Sequence, residues 1–349
     1  MERPPDAPRV SVLMAVHNGE RYLAEALDSV LAQTLADFEA VVVDDGSTDG
    51  STAILDDYAR RDRRLVVLRN DENRNLAAAL NRGLAACRAP LVARADADDV
   101  NRPDRLARQV AFLDAHPEVG VVGCAFHTMT PDGRRQGTKR YPTDHATIRA
   151  RLLFANSFLH PGVVFRADVV RAVGGYDEAY WTAQDSDLWT RLRDRTRFAN
   201  LPDPLVHYRT HGGSILNTRG GAGRRLSVGI PGRALSGLLG RPLSGDEVAA
   251  VVALYRGSRA LESDEVRRGL PLLREVLDRV GRTEPARAAR SVRREAAASI
   301  LRQLWAYGRG RLDRPAHRAV LLAALRLDPR LLLTRRVARA VPRALGGRA

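Results

Sequence analysis

Three carboxylates fall within four residues at Asp96, Asp98 and Asp99. Acidic side chains this close repel one another unless a positive charge sits among them. A hard divalent cation, Mg2+ or Mn2+, supplies that charge when carboxylate oxygens hold it and it bridges two phosphates of a substrate. Asp96 and Asp98 are separated by one residue, so on an extended or turning backbone they need not both reach the metal, and one can hold a ribose hydroxyl instead. An N-cap ahead of the helix that Pro103 introduces would account for Asn101, but it leaves the acids unexplained.

Two further polar clusters follow apolar runs. Val10–Val16 leads into His17-Asn18-Gly19, and Phe38–Val43 leads into Asp44-Asp45-Gly46-Ser47-Thr48-Asp49-Gly50. The second is also ordinary turn and N-cap composition. In an open α/β sheet, however, ligands bind outside the carboxyl ends of the strands. Three polar clusters that each end a strand would converge on one crevice.

The elements that must position them alternate in type. Strands are expected at Val10–Val16, Phe38–Val43, Leu65–Leu68, Leu91–Ala95 and Val119–Cys124. Helices are expected at Arg21–Gln33, Asn75–Ala86 and from Pro103 to about Ala115. Strand and helix in alternation with short connections predict a mostly parallel sheet flanked by helices. After Arg140 the pattern loosens into a helix at Thr147–Phe154, a strand at Gly162–Phe165 and a helix around Asp187–Arg193, an appended half expected to face the acceptor. Beyond residue 225 the reading is helical throughout. Two amphipathic stretches lie between Ser299 and Val341, and Ala323-Ala324-Leu325-Arg326-Leu327-Asp328-Pro329 resembles the helix end of a tetratricopeptide-type repeat. One copy is thin support, and a plain helical cap is the simpler reading.

Taken jointly, Val10-Ser11-Val12-Leu13-Met14-Ala15-Val16-His17-Asn18-Gly19, Val41-Val42-Val43-Asp44-Asp45-Gly46-Ser47-Thr48-Asp49-Gly50, Arg94-Ala95-Asp96-Ala97-Asp98-Asp99 and Ala183-Gln184-Asp185-Ser186-Asp187-Leu188-Trp189 resemble, in order and spacing, a family 2 glycosyltransferase of the GT-A fold. The resemblance covers about residues 8–215. It implies a Rossmann-like nucleotide-diphospho-sugar transferase sheet at 8–218, while composition and charge place a Gly/Arg-rich linker at 219–227 and a basic α-helical region at 228–349. By the same resemblance Asp45 hydrogen-bonds the nucleotide base, with Ala15, His17 and Asn18 lining that pocket. Asp96 then contacts ribose, Asp98 is the metal ligand of the DxD motif, and Asp99 supports the turn. Asp185 is the catalytic base that takes the acceptor hydroxyl proton in a single displacement, so the enzyme inverts the anomeric centre. A helix N-cap is the competing role for Asp185, compatible with the first.

The family usually has Glu before this Asp, where Gln184 stands here, and Gly is common at the position of Asn75. His207-Tyr208-Arg209-Thr210-His211 resembles the segment that returns to the pyrophosphate, where His211 completes the metal shell. The alternative is a surface loop ahead of Gly212-Gly213. His160, Trp181 and Gln184 are candidates for the acceptor side, with a buried hydrogen-bonded histidine as the competing reading of His160. Trp189, at helical spacing, reads as core.

The chain has 349 residues, is 44% hydrophobic and carries a formal charge of +15. That charge is uneven. Residues 1–220 hold 29 basic and 30 acidic side chains, whereas the remaining 129 hold 27 and 11, a net of +16. A boundary falls near Arg219-Gly220-Gly221-Ala222-Gly223. The basic tail has few aromatics, Tyr255, Trp305 and Tyr307, so stacking platforms for single strands are lacking and no nucleic-acid partner is expected. Its charge suits peripheral contact with an anionic membrane, where lipid-linked acceptors reside. Two cysteines, Cys87 and Cys124, make no disulfide framework and read as small core residues of a cytoplasmic protein. Val10–Val16 is too short to span a bilayer. The partners expected are a nucleotide-diphosphate sugar and a saccharide or lipid-linked acceptor in cell-envelope polysaccharide or glycolipid synthesis. The rival readings are a nucleotidyltransferase, which the lack of a Gly-rich loop with a basic residue at His17-Asn18-Gly19-Glu20 disfavours, and a binding protein that uses its basic tail.

Overall fold

The computed structural model describes residues 7–211, 221–257, 262–307 and 314–333. In chain order the elements are β1 (Val10–Val16), α1 (Glu20–Leu31), β2 (Phe38–Asp45), α2 (Ser51–Arg61), β3 (Leu65–Asn70), α3 (Leu76–Ala86), β4 (Leu91–Asp96) and β5 (Val100–Asn101). They continue with α4 (Arg105–Ala115), β6 (Val119–Met129), β7 (Arg135–Lys139), α5 (His145–Arg151), β8 (Val164–Arg166), α6 (Ala167–Arg171), α7 (Gln184–Leu192) and β9 (Arg197–Arg209). Five helices follow: α8 (Gly221–Leu239), α9 (Gly245–Arg256), α10 (Ser263–Thr283), α11 (Ala286–Tyr307) and α12 (Arg314–Leu327). The chain separates into two compact units, residues 1–148 with 157–223 and residues 149–156 with 224–349. The expected linker at 219–227 falls partly outside the described residues, as do 334–341 of the final amphipathic stretch.

In the first unit nine strands form one mixed sheet among the described residues, in the order β3-β2-β1-β4-β8-β6-β9-β5 with β7 on β6. β1, β2, β3 and β4 run parallel, and all eight residues of β2 are buried, as expected of strands covered on both faces. β1 has β2 on one side and β4 on the other, so the strand order reverses there and opens a crevice at the carboxyl edge. Register sets that edge: Ala15 pairs with Val43 and with Asp96, and Val16 pairs with Asp44. α3 lies close on this sheet because it carries Gly83, where a Cβ would sit 2.3 Å from Leu13 Cδ1. Cys87 and Cys124 are both buried, and burial pushes their thiols up to about 12 and about 11.

Several elements differ in extent from the sequence reading. β2 and β4 run on to include Asp45 and Asp96, so these carboxylates sit on rigid strand ends rather than in loops. β6 reaches Met129. The strand expected at Gly162–Phe165 begins at Val164, because His160–Gly162 forms a 3-10 turn around Pro161. The helix expected at Thr147–Phe154 ends at Arg151. β9 spans thirteen residues despite Pro202 and Pro204, its register to β6 shifting near them.

The second unit is helical among the described residues. α9 starts with a capping box, in which Ser244 Oγ accepts the Glu247 N–H and the Glu247 carboxylate accepts the Ser244 N–H. It stops at Gly257, whose left-handed φ of 64° is the usual helix terminator. Its core joins Val251, Leu254, Val276, Leu277, Val292, Ile300 and Leu321 with Leu153 and Phe154. Residues 149–156 are fixed within this unit. Phe154 stacks on Tyr255 at 4.2 Å, Arg151 pairs with Glu295 at 2.9 Å, and Arg256 donates to Phe154 O. No helix among the described residues is long and apolar enough to cross a membrane.

Candidate active site

At the end of β1 the chain turns through Asn18, whose φ of 53° is left-handed, a conformation Asn tolerates better than most residues. The turn is tied to the loop after β2. His17 Nδ1 donates to Asp45 O at 2.9 Å, the Asn18 N–H to Ser47 Oγ at 3.0 Å, and the Thr48 N–H to Asn18 Oδ1 at 2.8 Å. Asp45 is buried, and its Oδ1 accepts from Asn70 Nδ2 at 2.5 Å and the Arg74 N–H at 3.0 Å. Gly46 directly after it has φ 69°, and a Cβ there would meet Glu72 backbone at 2.6 Å. The loop before α3 thus packs against the Asp45 turn and orients its carboxylate. Ala15, His17, Asn18 and Asp45, expected to line the nucleotide pocket, lie together at or just after the carboxyl ends of β1 and β2.

The acidic turn follows β4. One oxygen from each of Asp96, Asp98 and Asp99 lies within 4.8 Å of the others. Asp96 accepts from Arg94, whose side chain is wholly buried and also donates to Leu13 O. Asp98 Oδ2 lies 2.9 Å from His211 Nε2. Asp99 is buried; its Oδ1 accepts the Arg209 N–H at 2.8 Å, and its Oδ2 has no partner. Burial first, and then the Asp96 charge, pushes the Asp98 carboxyl above its ordinary value, against the pull of His211. Burial and then the Asp98 and Asp96 charges push Asp99 well above it.

These residues fit a divalent cation. Carboxylate oxygens suit Mg2+ or Mn2+, the buried Asp99 Oδ2 has no hydrogen-bond partner, and the raised carboxyls are ones that a cation would favour in ionised form. The spacing agrees as well: two neighbouring ligands of an octahedral ion at about 2.1 Å sit about 3.0 Å apart, close to the Asp98–His211 separation.

Asp185 stands in the first turn of α7, after Ala183 in the left-handed conformation with φ 61°. It is not the cap itself. Its charge reaches Tyr176, as does that of Asp96; burial, the leading cause, and these two charges push the Tyr176 hydroxyl up against the pull of Arg94. Tyr176 OH lies 2.9 Å from His160 Nε2, and burial, then the Arg94 charge, holds His160 well below its ordinary value. Asp185, Tyr176, His160, Arg94 and Asp96 therefore share one electrostatic neighbourhood. Gln184 is buried beside Asp185, and Trp189 is in the core. Trp181 is 41% exposed in the loop before α7.

Three buried arginines were not singled out from the sequence. Arg209, 2% exposed, donates to Asp98 O and Pro131 O at 2.9 Å each and to Glu25 Oε2 at 2.5 Å, with its guanidinium 4.4 Å from the Tyr22 ring centroid. Arg105 donates to Arg94 O at 2.7 Å and Val163 O at 3.2 Å, and burial lowers it to about 10. With Arg94 they fix the backbone and charge around the acidic turn. The one available signal was position, because Arg94 and Arg209 sit at or near the inner ends of strands flanking the cluster.

The model of the family described as glycosyl transferase family 2 matches residues 11–210. The chain is 33% identical to the O-antigen biosynthesis glycosyltransferase WbnJ of Escherichia coli, over 58% of this chain and 80% of that one. It is 34% identical to the amylovoran biosynthesis glycosyltransferase AmsE of Erwinia amylovora, over 60% and 79%. Among solved structures it resembles S. aureus TarS 1–349 in complex with UDP-GlcNAc, with a TM-score of 0.58 at 19% identity over 89% of this chain and 90% of that one. It also resembles the mannosyltransferase PcManGT of Pyrobaculum calidifontis in complex with GDP-Man and Mn2+, with a TM-score of 0.53 at 20% identity over 94% and 89%. At these identities the structural likeness is one of fold, and the fold is GT-A.

Proposed function

The chain belongs to glycosyl transferase family 2, and we propose that it moves a sugar from a nucleoside diphosphate to a hydroxyl acceptor with inversion at the anomeric carbon. The observation that carries this reading is the convergence of the Asp45 wall, the acidic turn and the Asp185 neighbourhood on the carboxyl edge of β1, β2 and β4. The UDP-GlcNAc and GDP-Man held by the two structural relatives support a nucleotide-sugar donor. The Mn2+ in one of them supports a divalent ion on Asp98 and His211. The names of WbnJ and AmsE support a product in polysaccharide or glycolipid synthesis.

Each residue then has a task. Asp45, held through Oδ1 by Asn70 and Arg74, keeps its carboxylate turned to accept from a nucleotide base. Asp96, steadied by Arg94, accepts from ribose hydroxyls. A divalent ion at Asp98 would neutralise the diphosphate as it leaves. Asp185, in the first turn of α7, takes the acceptor hydroxyl proton while that oxygen attacks the sugar from the side opposite the diphosphate. One displacement inverts the centre. Gln184, His160 and the exposed Trp181 lie on the acceptor side. The +16 of the helical region draws the enzyme to anionic lipid that carries its acceptor.

Incubating the full chain with UDP-, GDP- and dTDP-sugars, Mn2+ and a hydroxyl acceptor tests the reading. Nucleoside diphosphate release that requires the acceptor, with a product of opposite anomeric configuration by NMR, is expected. Pyrophosphate release, or retained configuration, would overturn it.

A further inference from the structure

In the helical unit a cleft of about 350 Å³ is lined by Asp278, Gly281, Arg282, Ala286, Ala289, Arg290 and Arg293. It lies where α10 ends and α11 begins, within a region that holds 27 basic and 11 acidic side chains after residue 220. Its three guanidiniums face one carboxylate. Asp278 engages Arg293 at 3.1 Å, whereas Arg282 and Arg290 have no carboxylate partner among the described residues. Arg293 itself is incompletely satisfied, because its Nε is buried without a partner.

The backbone is shaped to admit that guanidinium. A Cβ at Gly281 would come within 3.0 Å of Arg293 Nη2, so a side chain there would press on it. The first turn of α11, beginning at Ala286, brings backbone N–H groups that no earlier helical carbonyl can occupy, and the positive end of the helix dipole. Three guanidiniums against one carboxylate leave an excess of two positive charges, the complement of a dianion. Planar forks of N–H donors match phosphate oxygens.

We propose that this cleft is an oxyanion site that takes a phosphate monoester or diphosphate group. It is separate from the sugar-transfer residues and does not depend on their assignment. Two sources share that chemistry, a soluble phosphate compound and the headgroup of an anionic lipid.

Calorimetric titration of the full-length protein with inorganic pyrophosphate in EDTA tests the site. Arg282→Gln/Arg290→Gln, both surface positions, is expected to weaken binding at least tenfold, and Gly281→Val to weaken it similarly. Arg302→Gln/Arg318→Gln, which removes the same charge from elsewhere in the unit, is expected to change it less than twofold. Equal weakening by both double variants would reduce the cleft to diffuse charge and overturn the proposal. So would pyrophosphate affinity unaffected by the cleft variants. In a second arm, vesicles containing phosphatidic acid, a lipid phosphate monoester, displace pyrophosphate from the cleft if the source is a lipid headgroup. They leave it bound if the ligand is soluble.

Discussion

His211 Nε2 lies 2.9 Å from Asp98 Oδ2, although 113 residues separate them in sequence. At that distance the two atoms either share a proton or lie side by side on one ion, and both arrangements tie the end of β9 to the acidic turn. If the ion is the working arrangement, removing the imidazole costs metal affinity more than it costs the fold. His211→Ala is expected to raise the Mn2+ concentration for half-maximal transfer by about 10- to 100-fold, with turnover largely recovered at saturating Mn2+. An unchanged Mn2+ requirement would leave His211 as a mere salt-bridge partner.

The acidic turn also sets a pH dependence. Asp98 and Asp99 have carboxyls raised by burial and by neighbouring charge, so the folded chain holds these protons to higher pH than the unfolded chain does. Stability from these groups therefore falls as pH climbs from the ordinary carboxylate range through the raised values. Carboxylates such as Asp62 and Asp328, lowered by hydrogen bonds from Arg64 and Arg330, act oppositely, so the unliganded melting curve mixes the two. The Mn2+ increment isolates the first, because the ion favours the ionised form. Calorimetry should give a larger rise in Tm with Mn2+ near pH 7.5 than near pH 5. Equal increments would count against a metal on these carboxylates.

The parallel half of the sheet was legible because its strands are unbroken apolar runs ended by polar clusters, and β1 matches its expected bounds at Val10–Val16. β9 was not, because Pro202 and Pro204 interrupt its pattern, and proline normally argues against a central strand. Its pairing with β6 carries Arg209 and His211 to the acidic turn, so this half of the site was visible as residues but not as geometry. Buried arginines were invisible for a related reason. Sequence places arginine at the surface, and what buries Arg94, Arg105 and Arg209 is the set of carbonyls and carboxylates that the fold gathers around them.

Asp185 is expected to act on the chemical step alone. Asp185→Asn keeps the shape and the α7 first turn but cannot take a proton, so kcat should fall by about 10²- to 10⁴-fold. Nucleotide-sugar affinity, set at the Asp45 wall and acidic turn, should change less than about twofold. Single-turnover kinetics with a separate binding titration checks this. A matched loss of affinity would move Asp185 from catalysis to donor binding.

Arg209 makes the testable claim about support. Arg209→Met removes donors from Asp98 O, Pro131 O and the half-exposed Glu25, and leaving the two carbonyls without their donor costs about 1–3 kcal/mol. Arg209→Lys should not restore it, since one ammonium cannot serve three acceptors that a planar fork reaches together. Urea denaturation should show lower midpoints at unchanged slope for both variants. Midpoints equal to the parent in the Met variant would sink the supporting role.

Asn75 precedes α3 with φ 76° and ψ 159°, a region that is nearly exclusive to glycine and costs other residues about 1–3 kcal/mol. It remains useful because its Oδ1 accepts the N–H groups of Ala77 and Ala78 at 3.0 and 3.2 Å. The two effects separate by substitution. Asn75→Ala keeps the strain and loses the cap, and should destabilise by about 1 kcal/mol. Asn75→Gly relieves the strain, loses only a few tenths of a kcal/mol in capping and gains unfolded-chain entropy, leaving it neutral to about 1 kcal/mol more stable. The adjoining Arg74 N–H bonds Asp45, so nucleotide affinity reports whether the loop has moved. It should stay within about twofold in the Gly variant, since glycine occupies this backbone freely, and weaken in the Ala variant as the loop relaxes. A Gly variant clearly less stable than the Asn75 parent would show that the cap outweighs the strain.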